Sequence, residues 1–299
     1  MTSPEHPRIL VIGSNGQVGW ELVRTLAPLG AVTAVDYPRI DLTDPDSIRQ
    51  WVRESGARVV VNAAAYTAVD KAETDLDRAM QINAVAPGIL AEEARRAGAL
   101  LVHYSTDYVY DGTKESAYIE EDATGPVSAY GRSKLAGDVA VQAAGGEHLI
   151  FRLCWVYGAR GQNFLLTMMR LARERETLRV VADQFGAPTW SRMIAGTTAL
   201  ALARTLASPE PAVFNGVYHL CAGGATSWHG FAQRIVEGMP AEGRRCREVQ
   251  GIGTADYPLP AKRPANSRLD TAKLRRTFGL SLPDWEASLR LVMERSEPV

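Results

Sequence analysis

The feature that most constrains this chain is a regular alternation of apolar runs with longer helical patterns in its N-terminal half. The runs are apolar throughout rather than alternating with polar residues, which is typical of strands covered on both faces. This alternation predicts an α/β fold built on a Rossmann-like, doubly wound parallel sheet. The candidate strands are residues 8–13, 31–36, 59–63, 100–104 and 149–153, and the candidate helices between them lie near 17–28, 45–55, 74–97 and 128–144.

A glycine-rich turn follows the first strand directly. Gly13, Gly16 and Gly19 are spaced as GxxGxxG, and the helical pattern VGWELVRTL begins inside this turn. Glycines permit a tight turn and let backbone N–H groups approach a pyrophosphate, which a helix N-terminus also favours electrostatically. A glycine triplet alone is a weak signal, but between the first strand and first helix of an α/β sheet it predicts dinucleotide binding.

Asp36 ends the second strand, where a carboxylate accepts hydrogen bonds from the adenosine ribose of a dinucleotide. The alternative role for this residue is a turn cap. A carboxylate there disfavours a 2′-phosphate, yet Arg39 is close enough to offset it, so the sequence leaves NADH and NADPH both open. Asp41 and Leu42 are candidates to flank the adenine, or else belong to a loop without ligand contact.

The second half of the chain has a looser pattern. Helices are expected near 162–176, 191–207, 227–238 and 284–295, with a Pro-rich stretch at 257–264. We expect a dinucleotide-binding Rossmann domain in residues 1–153 and mainly a smaller substrate-binding domain in 154–299. Two strand-like runs, near 178–182 and 216–220, either return to the sheet or build a second layer.

Composition excludes several classes of protein. A net charge of −1 gives no general attraction to nucleic acid or to anionic membranes. The cysteines, Cys154, Cys221 and Cys246, are far apart and odd in number, which argues against a disulfide framework or a zinc site. With no apolar run long enough for a signal peptide or membrane span, the cytoplasm is the expected location.

The candidate catalytic pair is Tyr130 and Lys134. A second Tyr-x-x-x-Lys match, Tyr110 and Lys114, contains Asp-Gly and predicts a turn rather than one helical face. Tyr130 and Lys134 lie in a helical stretch, where positions i and i+4 share a face. A ketone that accepts hydride must be protonated, and an ammonium beside a phenol, together with an oxidised nicotinamide, is expected to lower the phenol pKa.

Ser105, Thr106 and Asp107 follow the fourth strand of the predicted sheet. Hydroxyls and carboxylates just past the carboxyl end of a parallel strand lie in the crevice where α/β sheets bind ligands. Thr106 is therefore a candidate to hydrogen-bond the reacting carbonyl, and Asp107 a candidate to bind a sugar hydroxyl. A helix cap or turn is the structural alternative.

Taken together, these motifs resemble the extended short-chain dehydrogenase/reductase superfamily and, within it, the dTDP-4-dehydrorhamnose reductase family. The similarity extends over nearly the whole chain. It is carried by the stretches GxxGQVGWEL (13–22), VNAAAYTAVDKAE (61–73), HYSTDYVYDG (103–112), YGRSKLAG (130–137), FRLCWVYG (151–158), DQFGAPT (183–189) and YPLPAKRPANSRL (257–269).

The resemblance implies reduction of the C4 ketone of dTDP-4-dehydro-L-rhamnose to dTDP-L-rhamnose by NADPH or NADH. Tyr130 would protonate the C4 oxygen, Lys134 would adjust the pKa of Tyr130, and Thr106 would assist in matching that pKa. The cofactor would be lined by Gly16, Gln17, Val18, Asp36, Ala65, Tyr66, Thr67, Tyr104 and Lys134. The sugar nucleotide would be held by Thr106, Asp107 and Trp155, with Val69 nearby and Arg263 neutralising the diphosphate.

The chain departs from the family pattern at one site. Some members bind magnesium through clustered glutamates at a dimer interface, but here Glu21 is kept while Arg192 and Arg295 replace the others. Arginine cannot ligate a cation. We therefore expect no metal, and a monomer or a metal-free homodimer.

Two other functions remain open at this point. One is a non-catalytic regulatory subunit, because the similar β subunit of methionine adenosyltransferase binds nicotinamide cofactor without known need for turnover. The other is a nucleotide-sugar epimerase or dehydratase of the same superfamily. Dehydratases place a second acid after the strand-end Thr-Asp, and here Tyr108 stands at that position.

Overall fold

The structure is a computed structural model that describes residues 6–294. Its strands are β1 (Arg8–Ile12), β2 (Ala31–Val35), β3 (Val59–Asn62), β4 (Leu100–Thr106), β5 (His148–Leu153), β6 (Val156–Tyr157), β7 (Thr177–Val181), β8 (Phe185–Gly186), β9 (Thr189–Trp190), β10 (Gly216–His219), β11 (Thr226–Ser227) and β12 (Glu248–Ile252). Its helices are α1 (Gln17–Thr25), α2 (Pro45–Ser55), α3 (Leu76–Met80), α4 (Ala86–Arg96), α5 (Ala129–Ala143), α6 (Phe164–Glu174), α7 (Ser191–Ala207), α8 (Trp228–Glu237), α9 (Ala272–Phe278) and α10 (Trp285–Glu294).

The central element is a six-stranded parallel sheet with the order β10-β5-β4-β3-β1-β2. The chain leaves β1 toward β2 on one side and returns to β3 on the other. In an open α/β sheet, such a change of direction creates a crevice beyond the carboxyl ends of the strands. The predicted Rossmann-like fold is confirmed.

The sheet separates two hydrophobic clusters, and β1 contributes alternate residues to each. Ile9 and Val11 pack with α1, α7 and α9, whereas Leu10 and Ile12 face the side covered by α2 and α4. Side chains on a strand alternate between faces, so an uninterrupted apolar strand serves two cores. The prediction of full burial was wrong for β2, whose burial is only partial because it lies at the edge of the sheet.

The two undecided strand-like runs have different outcomes. The run near 216–220 returns to the sheet as β10, which pairs in parallel with β5. The run near 178–182 is β7, which instead pairs with β12 in a separate two-stranded sheet. β7 packs with α6, α8 and α10 around a third hydrophobic cluster in the second half of the chain.

The first helix lies against the glycine turn at a distance that only glycine permits. A Cβ atom on Gly19 would lie 2.0 Å from the carbonyl oxygen of Gly13. Gly13 itself has φ +83°, and a Cβ there would lie 2.5 Å from the backbone nitrogen of Ala64. These two close approaches hold the N-terminus of α1 at the end of β1, beside the loop that follows β3.

A first prediction concerns this contact. Gly19→Ala is expected to lower the free energy of unfolding by about 3 kcal/mol or more, because backbone must move to admit the methyl group. The matched control is Gly196→Ala in α7, where an added Cβ meets no atom within 4 Å. That variant should gain about 0.5–1 kcal/mol from helix propensity. Urea denaturation measures both, and equal effects of the two substitutions would contradict the packing argument.

Candidate active site

A cavity of about 680 Å³ opens at the carboxyl edge of the sheet, where β1, β3 and β4 end. Its walls come from the glycine turn, the loop after β3, the end of β4 and the start of α5. Most of the predicted site residues line it, namely Gly13, Gly16, Gln17, Val18, Asp36, Ala65, Thr67, Val69, Tyr104, Thr106, Asp107, Tyr130, Lys134 and Trp155.

Four predicted cofactor residues do not line this cavity. Gly19 is buried beneath the turn, and Leu42 packs against the core on the α2 side. Asp41 accepts hydrogen bonds from the backbone and hydroxyl of Thr43, as a turn residue does. The Tyr66 hydroxyl donates to Asp75. A contact between any of these four and a cofactor stays a prediction.

The glycine turn suits a dinucleotide. Gly16 caps α1 without any side-chain hydrogen bond to the first-turn N–H groups. Asp36 supports the turn, since its two carboxylate oxygens each accept a backbone N–H, from Asn15 at 2.8 Å and from Tyr37 at 2.8 Å. The N–H groups at a helix N-terminus are a natural cradle for a pyrophosphate, so the residues present fit NADPH or NADH.

Tyr130 and Lys134 lie one turn apart in α5, as predicted. Lys134 is 1% exposed, and its Nζ donates to the carbonyl oxygen of Tyr104 at 2.6 Å. The other Tyr-x-x-x-Lys match does not form such a pair. Tyr110 follows a short 3₁₀ turn and is buried against His219, while Lys114 pairs with Asp122.

Burial is the largest influence on the pKa of both members of the pair. Burial lowers the pKa of Lys134 to about 8, while the nearby Asp138 carboxylate acts to raise it. Burial also raises the pKa of Tyr130, followed by repulsion from Asp107, and a hydrogen bond with Thr106 only partly offsets this. The expected lowering of the phenol pKa includes the positive charge of an oxidised nicotinamide, so it stays a prediction.

Thr106 and Asp107 face Tyr130 from the end of β4. The Thr106 hydroxyl donates to Asp107 Oδ1 at 2.9 Å. Asp107 is 3% exposed, and its Oδ2 accepts no hydrogen bond from residues 6–294. Burial raises the pKa of Asp107 to about 6.

Trp155 forms the far wall of the cavity. Its backbone is left-handed, with φ 43°, and its ring stacks on Trp228 with centroids 3.6 Å apart. Gly186 lies flat against the indole, since a Cβ there would come within 2.5 Å of the ring. A backbone conformation this uncommon for a bulky residue is maintained only by tight surroundings, and here the two indoles form a rigid apolar wall.

A second cavity of about 770 Å³ adjoins the first and shares Trp228 with it. Arg263 lines this second cavity rather than the first. Its guanidinium binds the Asp70 carboxylate through two hydrogen bonds of 2.8 and 3.0 Å. Asp70 belongs to the loop after β3, so this ion pair joins the Rossmann sheet to the Pro-rich stretch.

Glu21 has an internal partner. Its carboxylate lies 3.2 Å from Arg192 Nε, and the residue is 7% exposed. Arg295, the other predicted departure from the magnesium-binding pattern, lies outside the described residues. Between residues 6 and 294, no cluster of three or more acidic, His or Cys side chains could hold a metal ion. Within the same range, none of the helices is both long and apolar enough to cross a membrane.

Sequence reasoning missed two aromatic residues that line the first cavity. Tyr108 packs edge-on against Tyr130, with ring centroids 6.0 Å apart. Its position directly after Thr106 and Asp107 is a signal that could have identified it as a residue of the site. Trp228 begins α8, after the Ser227 cap. Nothing local in the sequence distinguishes Trp228 from a core tryptophan, because only the tertiary fold brings α8 to Trp155.

A second prediction follows from the raised pKa of Asp107. The pKa of Asp107 in the folded protein, about 6, exceeds its ordinary value of 3.8. The folded state therefore loses stability as the pH rises from 3.8 to about 6. Asp107→Asn should therefore stabilise the protein by about 1–3 kcal/mol at pH 8 and by roughly half as much at pH 5. Urea denaturation at the two pH values measures the difference.

The matched control is Asp111→Asn. A hydrogen bond from Tyr118 at 2.6 Å is the main cause that lowers the pKa of Asp111, so neutralising it should destabilise the protein at pH 8. A pH-independent loss of stability in Asp107→Asn would show that its carboxylate is not strained by burial.

Comparisons with known proteins agree with this geometry. The family model described as RmlD substrate binding domain matches residues 7–297. A dTDP-4-dehydrorhamnose reductase of Burkholderia thailandensis is 52% identical over 289 residues, covering 95% of this chain and 97% of the relative. The corresponding reductase of Escherichia coli K12 is 44% identical, with 95% and 96% covered.

Solved structures give the same result. The dTDP-4-dehydrorhamnose reductase of Bacillus anthracis, in complex with NADP, has a TM-score of 0.87 and 32% identity over 97% of this chain and 99% of that one. A Thermus thermophilus UDP-glucose 4-epimerase, at 22% identity and TM-score 0.78 over 97% and 100% of the two chains, shares the fold. The chain therefore belongs to the dTDP-4-dehydrorhamnose reductase family.

Proposed function

We propose that this protein catalyses the NADPH- or NADH-dependent reduction of the C4 ketone of dTDP-4-dehydro-L-rhamnose to dTDP-L-rhamnose. The observation that carries the proposal is the meeting of Tyr130, Lys134 and Thr106 in one cavity with the glycine turn. Family membership supports the substrate, since relatives at 52% and 45% identity are reductases of that name. The NADP complex of a similar protein supports the cofactor.

In this mechanism the reduced nicotinamide supplies the hydride, and the chain supplies the proton and the orientation. Tyr130 is the proton donor to the C4 oxygen, since its hydroxyl faces the cavity beside Thr106. Its raised pKa keeps the phenol protonated until charge develops on the substrate oxygen. Lys134, held by the Tyr104 carbonyl, places a positive charge one helical turn away, which offsets the phenolate that remains.

The sugar is proposed to lie between Asp107 and the Trp155–Trp228 pair. Asp107 lines the cavity and is the proposed acceptor for a sugar hydroxyl, and Trp155 offers an apolar face. Val69 lies on the same cavity wall. Arg263 is proposed to serve the diphosphate from the adjoining cavity, where Asp70 fixes its direction but leaves a cationic edge.

We further propose that residues 1–153 bind the cofactor and that 154–299 mainly bind the substrate, with β10 completing the sheet. We also propose a cytoplasmic enzyme that acts on a small molecule rather than on nucleic acid or membranes. Its three cysteines are free and buried, which suits a reducing compartment.

A third prediction tests the activity. The purified protein should consume reduced nicotinamide in equal amount to the dTDP-4-dehydro-L-rhamnose supplied, as measured by the loss of its absorbance with NADPH and with NADH. Tyr130→Phe should lose about 100-fold or more in kcat, because the proton donor is removed. The control is Tyr218→Phe, whose hydroxyl bonds the Phe214 carbonyl in the core, outside the cavity.

The outcome also separates the other functions. An epimerase or dehydratase would convert its substrate without net consumption of reduced nicotinamide. A regulatory subunit would bind the cofactor without turning over any keto-sugar nucleotide. Either result with the intact chain would refute the reductase proposal.

A fourth prediction concerns assembly. We propose a monomer or a metal-free homodimer, because the Arg192 guanidinium already neutralises Glu21. The sedimentation coefficient should be the same with millimolar Mg²⁺ and with a chelator. A shift to a larger species on adding Mg²⁺, abolished by Glu21→Gln, would contradict this.

A further inference from the structure

Beneath the catalytic pair, three buried polar side chains form a chain that the mechanism above does not use. Asn62 ends β3, His103 lies within β4, and Lys134 comes from α5; none is more than 1% exposed. Asn62 Nδ2 lies 3.2 Å from His103 Nδ1, and His103 Nε2 lies 3.4 Å from Lys134 Nζ. Lys134 is thus connected through the imidazole to Asn62.

The contacts of Asn62 determine which nitrogen of His103 carries the proton. Asn62 Oδ1 accepts the backbone N–H of Ala64 at 3.3 Å, which leaves the amide nitrogen to face His103 Nδ1. An amide nitrogen only donates, so Nδ1 is the acceptor. Burial, followed by repulsion from Lys134, holds the pKa of His103 well below its ordinary value. The neutral ring therefore carries its single proton on Nε2, toward Lys134.

This arrangement conflicts with a charged Lys134. An ammonium only donates hydrogen bonds, and here it faces the N–H of His103, whereas a neutral amine would accept that N–H. The other tautomer of His103 would accept from the ammonium, but Asn62 would then have to turn its oxygen toward His103. The Ala64 N–H would in that case face an amide nitrogen. One buried hydrogen bond is lost in either arrangement when Lys134 is charged.

Other groups around Lys134 act in the opposite direction. The Tyr104 carbonyl of β4 accepts a hydrogen bond from Nζ. Asp138, one turn further along α5 and 1% exposed, favours the ammonium. Arg152 of β5 pairs with Asp138 at 3.1 Å and so reduces that effect. Tyr130, one turn before Lys134, faces the cavity. The charge of Lys134 is therefore balanced between opposing neighbours.

We propose that Asn62 and His103 are positioning residues for the reductase reaction, which hold an N–H against Lys134 and thereby set the pH at which it loses its charge. This inference rests on the proposed function, in which the charge of Lys134 supports Tyr130. Neither residue touches the cavity that binds the reactants. Activity should consequently fall on the alkaline side as Lys134 becomes neutral, with a midpoint that these two residues control.

The sharpest variant is Asn62→Asp, which exchanges an amide for a carboxylate of the same shape. The carboxylate accepts both the Ala64 N–H and a proton on His103 Nδ1, so that Nε2 becomes an acceptor for the ammonium. The alkaline midpoint of kcat/KM should rise by about one pH unit or more. Asp138→Asn, which removes the carboxylate favouring the ammonium, should move the same midpoint down.

Two further variants support the comparison. His103→Gln places a side-chain oxygen near Nζ and should also raise the midpoint, which keeps the test available if Asn62→Asp does not fold. The matched control is Asn266→Asp, a buried amide whose nitrogen bonds the carbonyls of Lys114 and Ser116. Whatever its effect on stability, this control should leave the midpoint where it is, because it does not contact Lys134.

A readout independent of turnover separates this proposal from the proposed function. The Lys134 Cε resonance, identified by its loss in Lys134→Gln, reports the charge of the amine in a ¹³C NMR titration. If no keto-sugar nucleotide is reduced, the proposed function fails while the titration still tests the role of His103. If the midpoint falls or stays unchanged in Asn62→Asp while Asp138→Asn still lowers it, the inference is overturned.

Discussion

The close contact between α5 and the end of β4 is the constraint on which the site depends. Lys134 crosses this contact and binds the Tyr104 carbonyl at 2.6 Å. Gly131, inside the YGRSK stretch, lies so near the turn after β4 that a Cβ would meet the Tyr108 carbonyl oxygen at 2.2 Å. The helix therefore rests directly on the segment that carries Thr106. Close backbone packing therefore sets how near Tyr130 lies to Thr106.

That packing has an energetic consequence for the whole fold. Lys134, Asp107 and Asp138 are all at most 3% exposed, and one carboxylate oxygen of each acid lacks a hydrogen bond within the described part of the chain. Such groups destabilise the folded state, because charged atoms removed from water are only partly compensated. The sheet can tolerate this cost because its two apolar clusters are extensive. The buried charges at the site therefore lower the stability of the folded state.

Much of this architecture could be predicted because it depends on local sequence patterns. The glycine turn and the i, i+4 pair each depend on a few neighbouring residues, and both lie where the sequence pattern placed them. β4 continues two residues past its predicted end, to Thr106. The partner of Arg263 could not be predicted, since Asp70 is distant in sequence and only the fold brings the two together. The same is true of β7, whose apolar run fits the main sheet as well as its actual partner β12.

The pKa of Tyr130 shows a different limit of prediction from sequence. Spacing places a lysine one turn from the phenol, but the sign of the shift depends on how much water the surrounding walls exclude. Tyr108 and Trp155, which close that space, come from separate parts of the chain. Burial then raises the pKa of Tyr130, followed by repulsion from Asp107, so the phenol stays protonated near neutral pH. In the proposed mechanism, Tyr130 is therefore protonated before the hydride moves and can give its proton to the substrate oxygen.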